Sequence, residues 1–290
     1  MGKLKYSTKR KINGYLFIMP WLVGFVLLTA YPLFYSLYLS FHKVKITADA
    51  GIVADYIKFA NYKDAFFTDV QFVDTLLSYA LEITISVPII LVFALIISIL
   101  LNSNIKFKGL FRGLFFLPVI ITSGPVLNEL MNQGATTMPG FNDMFSTSIE
   151  AMLNNLPLFI ANPLNYVITN IIMILWFSGI QILIFLAALQ KIDPSVYEAA
   201  KVEGATMWEI FWKIMLPELR PMIVINAIYT IVAMSTFSVN EVAALMAEYM
   251  FKANMGFGYT SALAWIYLIV IALVLGLYVL ILMPREKKYE

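Results

Sequence analysis

The segment Lys191–Pro221 reads KIDPSVYEAAKVEGATMWEIFWKIMLPELRP, and its patterning decides the fold. It joins two runs free of Asp, Glu, Lys and Arg, Ala151–Gln190 and Pro221–Asn240. Helix connections in bundles run about 2–8 residues, so a linker several times longer needs structure of its own. Asp193-Pro194 is a helix start, with proline at the first helical position. Ser195 and Glu198 have the spacing of a capping box. Ala199, Ala200, Lys201 and Val202 continue the helix, and Gly204 allows a bend that a side chain would hinder. A second helical run is expected over 205–216, ended by Pro217, with Pro221 opening the next element. Two readings fit this helix–glycine–helix unit. A re-entrant segment resting on lipid head groups would use the apolar knobs Met207, Ile210, Phe211 and Ile214. A docking element for another protein also explains the small Ala199, Ala200, Gly204 and Ala205, which let a partner approach the backbone closely.

Outward from this segment, composition sets the solvent. The chain has 290 residues, 61% hydrophobic and 13% charged, with mean hydropathy +0.81. A soluble domain carries about 25% charged residues. With no cysteine, disulfides, zinc–thiolate sites and cysteine nucleophiles are excluded. The single histidine, His42, removes histidine-rich metal sites and most histidine acid–base chemistry, and it is given no role. A net charge of +2 gives no support for nucleic acid as a partner.

A membrane helix needs about 20 mostly apolar residues. Charge-free runs occupy Ile12–Phe41, Ile83–Ile105, Gly113–Asn128, Ala151–Gln190, Pro221–Asn240 and Ala253–Pro284. The fourth begins with an Asn- and Pro-rich stretch, so only 166–190 reads as a span. The expected fold is an all-α membrane protein with six transmembrane helices. The N-terminal tail, the linkers after spans two and four, and the C-terminal tail together hold 15 of the 20 basic residues. The positive-inside rule places these segments, and both termini, in the cytoplasm. The first run is too long for a signal h-region and lacks an A-x-A site, so it reads as a retained helix. Outside, residues 42–76 carry Tyr56, Phe59, Tyr62, Phe66 and Phe67, the mark of a small folded cap. A second outer segment, 133–165, is expected to hold an interfacial amphipathic helix over 146–156. The expected organisation is 1–76 (tail, first helix, cap), 77–284 (five-helix core with the loop 191–221) and a tail at 285–290.

Glu198–Pro221, EAAKVEGATMWEIFWKIMLPELRP, resembles the Glu-Ala-Ala loop of inner-membrane permeases in binding-protein-dependent ABC importers. The matching positions are Glu198, Ala199, Ala200, Gly204, Ala205, Ile214, Leu216 and Pro217. Glu203 stands where many carbohydrate members have aspartate. Tyr15–Phe41 and Phe111–Ile120 are similar to carbohydrate-type members. The resemblance, from about Lys11 to Pro284, implies a type I importer architecture. It implies a second, homologous permease, two ATPase subunits docked on the coupling loops, and an external solute-binding protein, in a bacterial or archaeal cell membrane. Glu198, Ala199, Ala200, Glu203, Gly204, Ala205 and Pro217 would couple to the ATPase. ATP and magnesium belong to that partner. No G-x-x-x-x-G-K-[ST] phosphate loop occurs here, and no cofactor, metal or catalytic residue is expected on this chain.

Polar groups inside membrane helices face cavities or other helices. In the fifth span Asn226, Tyr229, Thr230, Ala233, Thr236, Phe237 and Asn240 recur at helical spacing. Amides, hydroxyls and rings suit a sugar, which offers hydroxyls and flat C–H faces, and they equally suit helix–helix adhesion. The fourth span adds Asn170, Phe177 and Gln181 beside Trp176. Asn128, Asn132, Trp265 and Tyr267 are weaker candidates. Glu82 reads as a snorkelling or paired acid, and Tyr31, Tyr35 and Tyr38 as an interfacial belt. An oligosaccharide permease is the leading reading. Another cargo (polyamine, glycerol phosphate ester, amino acid) is the alternative within the family. A stand-alone secondary transporter would call for intramembrane charges or repeated halves. A membrane enzyme would need clustered acids, and Asp49, Asp55, Asp64, Asp69 and Asp74 lack metal-like spacing.

Overall fold

The computed structural model describes residues 6–47, 51–103, 106–121, 157, 164–165, 167–168, 170–237, 240–252 and 255–283. Four helical stretches among them are long and apolar enough to cross a membrane: Gly14–Ser40, Val70–Asn102, Met207–Ser235 and Gly256–Leu282. A fifth candidate is Met173–Leu189 with Pro194–Val202, bent by 66° at the break. The end of the expected third span, Asn128, Asn132 and the helix over 146–156 lie outside the described residues. The second span is longer than its charge-free run because Asp74 and Glu82 sit within the same helix.

The chain divides into two compact units. The first comprises Met1–Leu76 and Glu241–Ile269. It contains α1 (Tyr6–Phe25), a π-helical turn (Val26–Ala30) and α2 (Tyr31–Ser40). An antiparallel hairpin follows, β1 (His42–Thr47) with β2 (Gly51–Tyr56), pairing His42 with Tyr56. Next come α3 (Ala60–Phe67) and the first turns of α4 (Val70–Asn102). Later in the chain this unit adds α10 (Glu241–Met250) and the start of α11 (Gly256–Leu282).

The expected cap is folded, and the sequence offered its aromatics but not its centre. Phe59 and Tyr62 pack on Phe41, each with ring centroids 5.4 Å away, whereas Phe66 and Phe67 are exposed. The centre is polar. Asn61 donates to the carbonyls of Ser40 (2.8 Å) and His42 (3.1 Å), tying α3 to the hairpin root. His42 is buried, its Nδ1 2.7 Å from the Tyr38 carbonyl and its ring 4.0 Å from that of Tyr38. Asp69 precedes α4 and accepts from the Phe72 N–H at 3.0 Å, an N-cap bond that satisfies an orphan donor. It also accepts from Tyr259 (2.8 Å) and Tyr249 (3.3 Å), which joins α4 to α10 and α11.

The second unit comprises Leu77–Asn240 and Val270–Glu290. It holds the rest of α4, α5 (Lys108–Ile121), α6 (Ile171–Leu189), α7 (Pro194–Val202), α8 (Met207–Ile210), a π-helical turn (Phe211–Met215), α9 (Leu216–Ser235) and the rest of α11. Its core is largely aliphatic, with Ile83, Val87, Ile90, Ile182 and Ile231 buried beside the aromatic Phe185. Tyrosine hydroxyls fasten it: Tyr79 donates to the Met234 carbonyl (2.7 Å) and Tyr278 to that of Thr84 (2.6 Å).

Pro217 does not end a helix, contrary to the reading of 205–216 as a closed run. Helix continues from Met207 to Ser235 through the π turn, with Pro221 inside α9. A proline ring in a helix clashes with the carbonyl four residues back and donates no bond. A π turn widens the backbone just before the ring. The Leu216 N–H reaches back five residues to Phe211, immediately before Pro217. The Tyr31 N–H does the same to Val26, immediately before Pro32.

Candidate functional site

The loop after α6 is built as two caps around one glycine. Asp193 caps α7: its side chain accepts from the Ser195 N–H at 2.9 Å, with Pro194 in the first turn. That bond holds the Asp193 carboxyl below its ordinary value. The cap therefore belongs to Asp193, which corrects the Ser195–Glu198 box, because Ser195 already lies inside the helix. At the other end the Gly204 N–H donates to the Lys201 carbonyl (3.0 Å) and the Ala205 N–H to that of Ala200 (2.9 Å). This is a Schellman motif, which needs a left-handed residue, and Gly204 has φ +84°. Thr206 then starts the next helix with the true capping box, its Oγ1 accepting from the Glu209 N–H while Glu209 accepts from the Thr206 N–H. Glu209 also pairs with Lys213 at 3.1 Å.

Between these caps α7 presents a defined face. Glu198, Ala199, Glu203 and Gly204 are exposed, Ala205 is half-buried and Ala200 is buried as the foot of the helix. Pro217 is exposed. Val202, Met207 and Trp208 are exposed apolar groups on the same loop. No described residue within 4 Å would meet a Cβ added at Gly204, so it is the φ of +84° that favours glycine there. The Tyr197 hydroxyl is buried with no hydrogen-bond partner among the described residues. Burial, and then the nearby Glu218 carboxylate, push that phenol up.

The stripe on the fifth span divides. Asn226 and Thr230 are buried against α6, where Gln181 Nε2 donates to Thr230 Oγ1 at 2.8 Å. Thr230 in turn donates to the Asn226 carbonyl (2.7 Å), and Asn226 Nδ2 lies 3.4 Å from the Gln181 carbonyl. Each amide nitrogen and the Thr230 hydroxyl of this cluster donates one hydrogen bond, whereas among the described residues Gln181 Oε1 and Asn226 Oδ1 are buried without partners. Such acceptors suit a ligand or water that donates hydroxyl protons. Phe177 and Phe237 pack edge to face at 4.8 Å. Tyr229 and Thr236 are exposed, and Asn240 is buried, its side-chain amide donating to the Ser235 carbonyl at 3.0 Å. Phe177 also borders a void of about 20 Å³ with Glu82, Ser86 and Asn170, room for about one water. Among the described residues no three His, Cys, Asp or Glu side chains could hold a metal ion.

The family model described as "Binding-protein-dependent transport system inner membrane component" matches residues 67–285. The chain is 32% identical to the probable ABC transporter permease protein YesP of Bacillus subtilis, over 94% of this chain and 91% of that one. It is 30% identical to the lactose transport system permease protein LacF of Rhizobium radiobacter, over 77% and 73%. It is 28% identical to the multiple sugar-binding transport system permease protein MsmF of Streptococcus mutans, over 97% of both. In fold it is similar to a chain of a bacterial alginate ABC transporter crystallised with an alginate pentasaccharide-bound periplasmic protein. That match has TM-score 0.65 and 18% identity, and covers 96% of each chain.

Proposed function

This multi-pass membrane protein belongs to the binding-protein-dependent transport system inner membrane component family, as a carbohydrate-type ABC importer permease, and we propose that its cargo is an oligosaccharide. The chain pairs with a second, homologous permease. A solute-binding protein delivers sugar outside, and two ATPase subunits carry ATP and magnesium inside. Both termini are cytoplasmic, and six helices cross a bacterial or archaeal cell membrane.

The observation that carries this reading is the capped lever Asp193–Gly204. A short helix closed by a Schellman glycine is stiff and has a defined end. Its exposed Glu198, Ala199 and Glu203 leave a narrow face for a cleft in the ATPase, with Ala200 and Ala205 setting its base. Closing of the ATPase pair then moves α7, and Pro217 within the continuous helix carries the motion to α9. The path for sugar is lined by Gln181, Phe177, Asn226, Tyr229, Thr230, Thr236, Phe237 and Asn240. The unpartnered acceptors of Gln181 and Asn226 support that assignment, since sugar hydroxyls donate to such groups.

Gly204→Val tests the coupling. A β-branched residue at φ +84° is a backbone outlier, and no neighbour crowds it. The variant is expected to reach the membrane at wild-type level while ATP-dependent sugar uptake falls at least about tenfold, through loss of the cap geometry. Normal uptake by this variant would refute the docking role of α7.

A further inference from the structure

A cavity in the first unit, about 710 Å³, is a pocket of ligand-binding size. It opens between the hairpin, α3, the start of α4, α10 and the start of α11. Its polar groups fall into two kinds. One set is already committed. Asn61 gives its amide protons to Ser40 and His42. Lys252 pairs with Glu248 at 2.7 Å and lies 4.6 Å from the centre of the Tyr249 ring. Asp69 is surrounded by three donors.

The other set is unspent. Lys43 and Asp64 line the cavity with no ion pair or side-chain hydrogen bond among the described residues. The single Tyr249 proton has two acceptors in reach, Asp69 Oδ1 at 3.3 Å and Gln71 Oε1 at 3.2 Å, so one of them is always spare. The wall therefore offers a cationic donor, an anionic acceptor and an amide, together with apolar Ile57 and Met255. The free charges are one of each sign, and the Asp69 charge is met by its three donors. A ligand with many hydroxyls, each both donor and acceptor, and little net charge satisfies this set. A metal ion would leave Lys43 opposed, and a lone protein side chain would leave most of the volume empty.

We propose that this cavity is a saccharide subsite that holds one end of a neutral sugar chain outside the membrane path. The proposal rests on the oligosaccharide reading above and gives the extracellular cap a binding role of its own. Lys43 donates to ring or hydroxyl oxygens, Asp64 accepts a pair of vicinal hydroxyls, and the spare acceptor of Asp69 or Gln71 takes a third. The sugar face lies on Met255 and Ile57.

The test uses the purified full chain in lipid nanodiscs and saturation-transfer NMR with lactose and arabinotriose as probes. Wild type is compared with Lys43→Met, Asp64→Asn and, as a control, Lys45→Met. Lys43 and Asp64 are exposed, so these variants keep the fold, which circular dichroism verifies. Binding of at least one probe that weakens about tenfold in both cap variants, as expected for a lost charge-assisted hydrogen bond, supports the subsite, provided that Lys45→Met, on the same hairpin but outside the cavity, leaves it intact. No binding of either probe, or equal binding in wild type and cap variants, overturns it. Weakened capture of a solute-binding protein without any change in sugar binding also overturns it. ATP-driven sugar uptake by the assembled transporter is measured separately. Its loss in wild type would sink the transport reading, whereas its persistence beside unchanged cap binding sinks the subsite alone.

Discussion

Gly258→Ala is the sharpest probe of the cap. In the first turn of α11 this glycine lies against the hairpin root. An added Cβ would sit far inside contact with the His42 carbonyl oxygen, 3.2 Å from the His42 carbonyl carbon and 3.1 Å from Val44 Cγ2. Relief needs a backbone shift of about 1 Å, because the obstacle is not the end of a flexible side chain. The hairpin cannot give freely. The same carbonyl accepts from Asn61 at 3.1 Å, His42 is held by Tyr38, and the Ile57 N–H donates to the Phe41 carbonyl at 2.9 Å. Overpacking costs about 1–3 kcal/mol, and loss of the Asn61 bond about 1 kcal/mol more. The gain in helix propensity returns at most about 1 kcal/mol. The net expectation is destabilisation by about 1–3 kcal/mol, a fall in Tm of several degrees at about 2–4 °C per kcal/mol. Gly276→Ala is the control, since nothing lies within 4 Å of its Cβ, and it should hold or raise Tm. The assay is thermal unfolding of both variants in nanodiscs. No measurable drop for Gly258→Ala, or an equal drop for Gly276→Ala, would refute the close-approach argument.

Other outcomes follow from the same structure. Burial and then the Asp69 carboxylate push the Tyr249 phenol up to about 12 from 10.0. Its neutral form is thus favoured by folding, so its contribution to stability is whole below pH 10 and is lost as pH rises toward 12. Tyr249→Phe should flatten that alkaline loss in unfolding measured against pH. A double-mutant cycle of Gln181→Leu with Thr230→Val should return a coupling of about 0.6 kcal/mol, typical of side-chain hydrogen bonds between membrane helices. Pro217→Ala restores an N–H and should relax the π turn toward α geometry, turning Trp208 by about 100° relative to α9. The chain has no cysteine, so labelling of Trp208→Cys with and without Pro217→Ala reads that rotation directly.

Much of the loop 191–221 was legible in the sequence because its signals are local. Asp193-Pro194 and Gly204 act through bonds spanning two to five residues, so spacing suffices to find them. The Thr206–Glu209 box has the same T-x-x-E signature and was equally readable, yet the earlier Ser195–Glu198 pattern has it too. Only the geometry shows that Asp193 had already taken the cap. The extent of the fifth helix was not legible, because proline reads as a stop unless a π turn absorbs it. The cap centre was hidden for another reason. His42, Asn61, Asp69, Tyr249 and Gly258 come from distant parts of the chain, and no spacing rule links residues brought together only by folding. A weak signal existed in Asp69, an N-cap residue just before an apolar run. The stripe on α9 was found by period, but the period cannot tell which of its members α6 would bury.

The continuity of Met207–Ser235 changes how the proposed coupling must work. Were Pro217 a break, motion of α7 would reach the membrane through a flexible joint and dissipate there. As one helix, residues 207–226 rise about 1.5 Å each, so about 30 Å of rigid backbone separates the Thr206 cap from Asn226. Tilting such a rod by about 10° about its Thr206 end displaces Asn226 by about 5 Å, roughly one helical turn. That exceeds the reach of the Gln181–Thr230 bond at 2.8 Å. The α6–α9 contact must then either travel with the rod or part. Parting would expose Gln181 Oε1 and Asn226 Oδ1, the acceptors left unpartnered in the closed interface. Under the proposed function the same amides would adhere two helices in one state and receive sugar hydroxyls in another. A membrane path with so little charge has few other groups with which to do both.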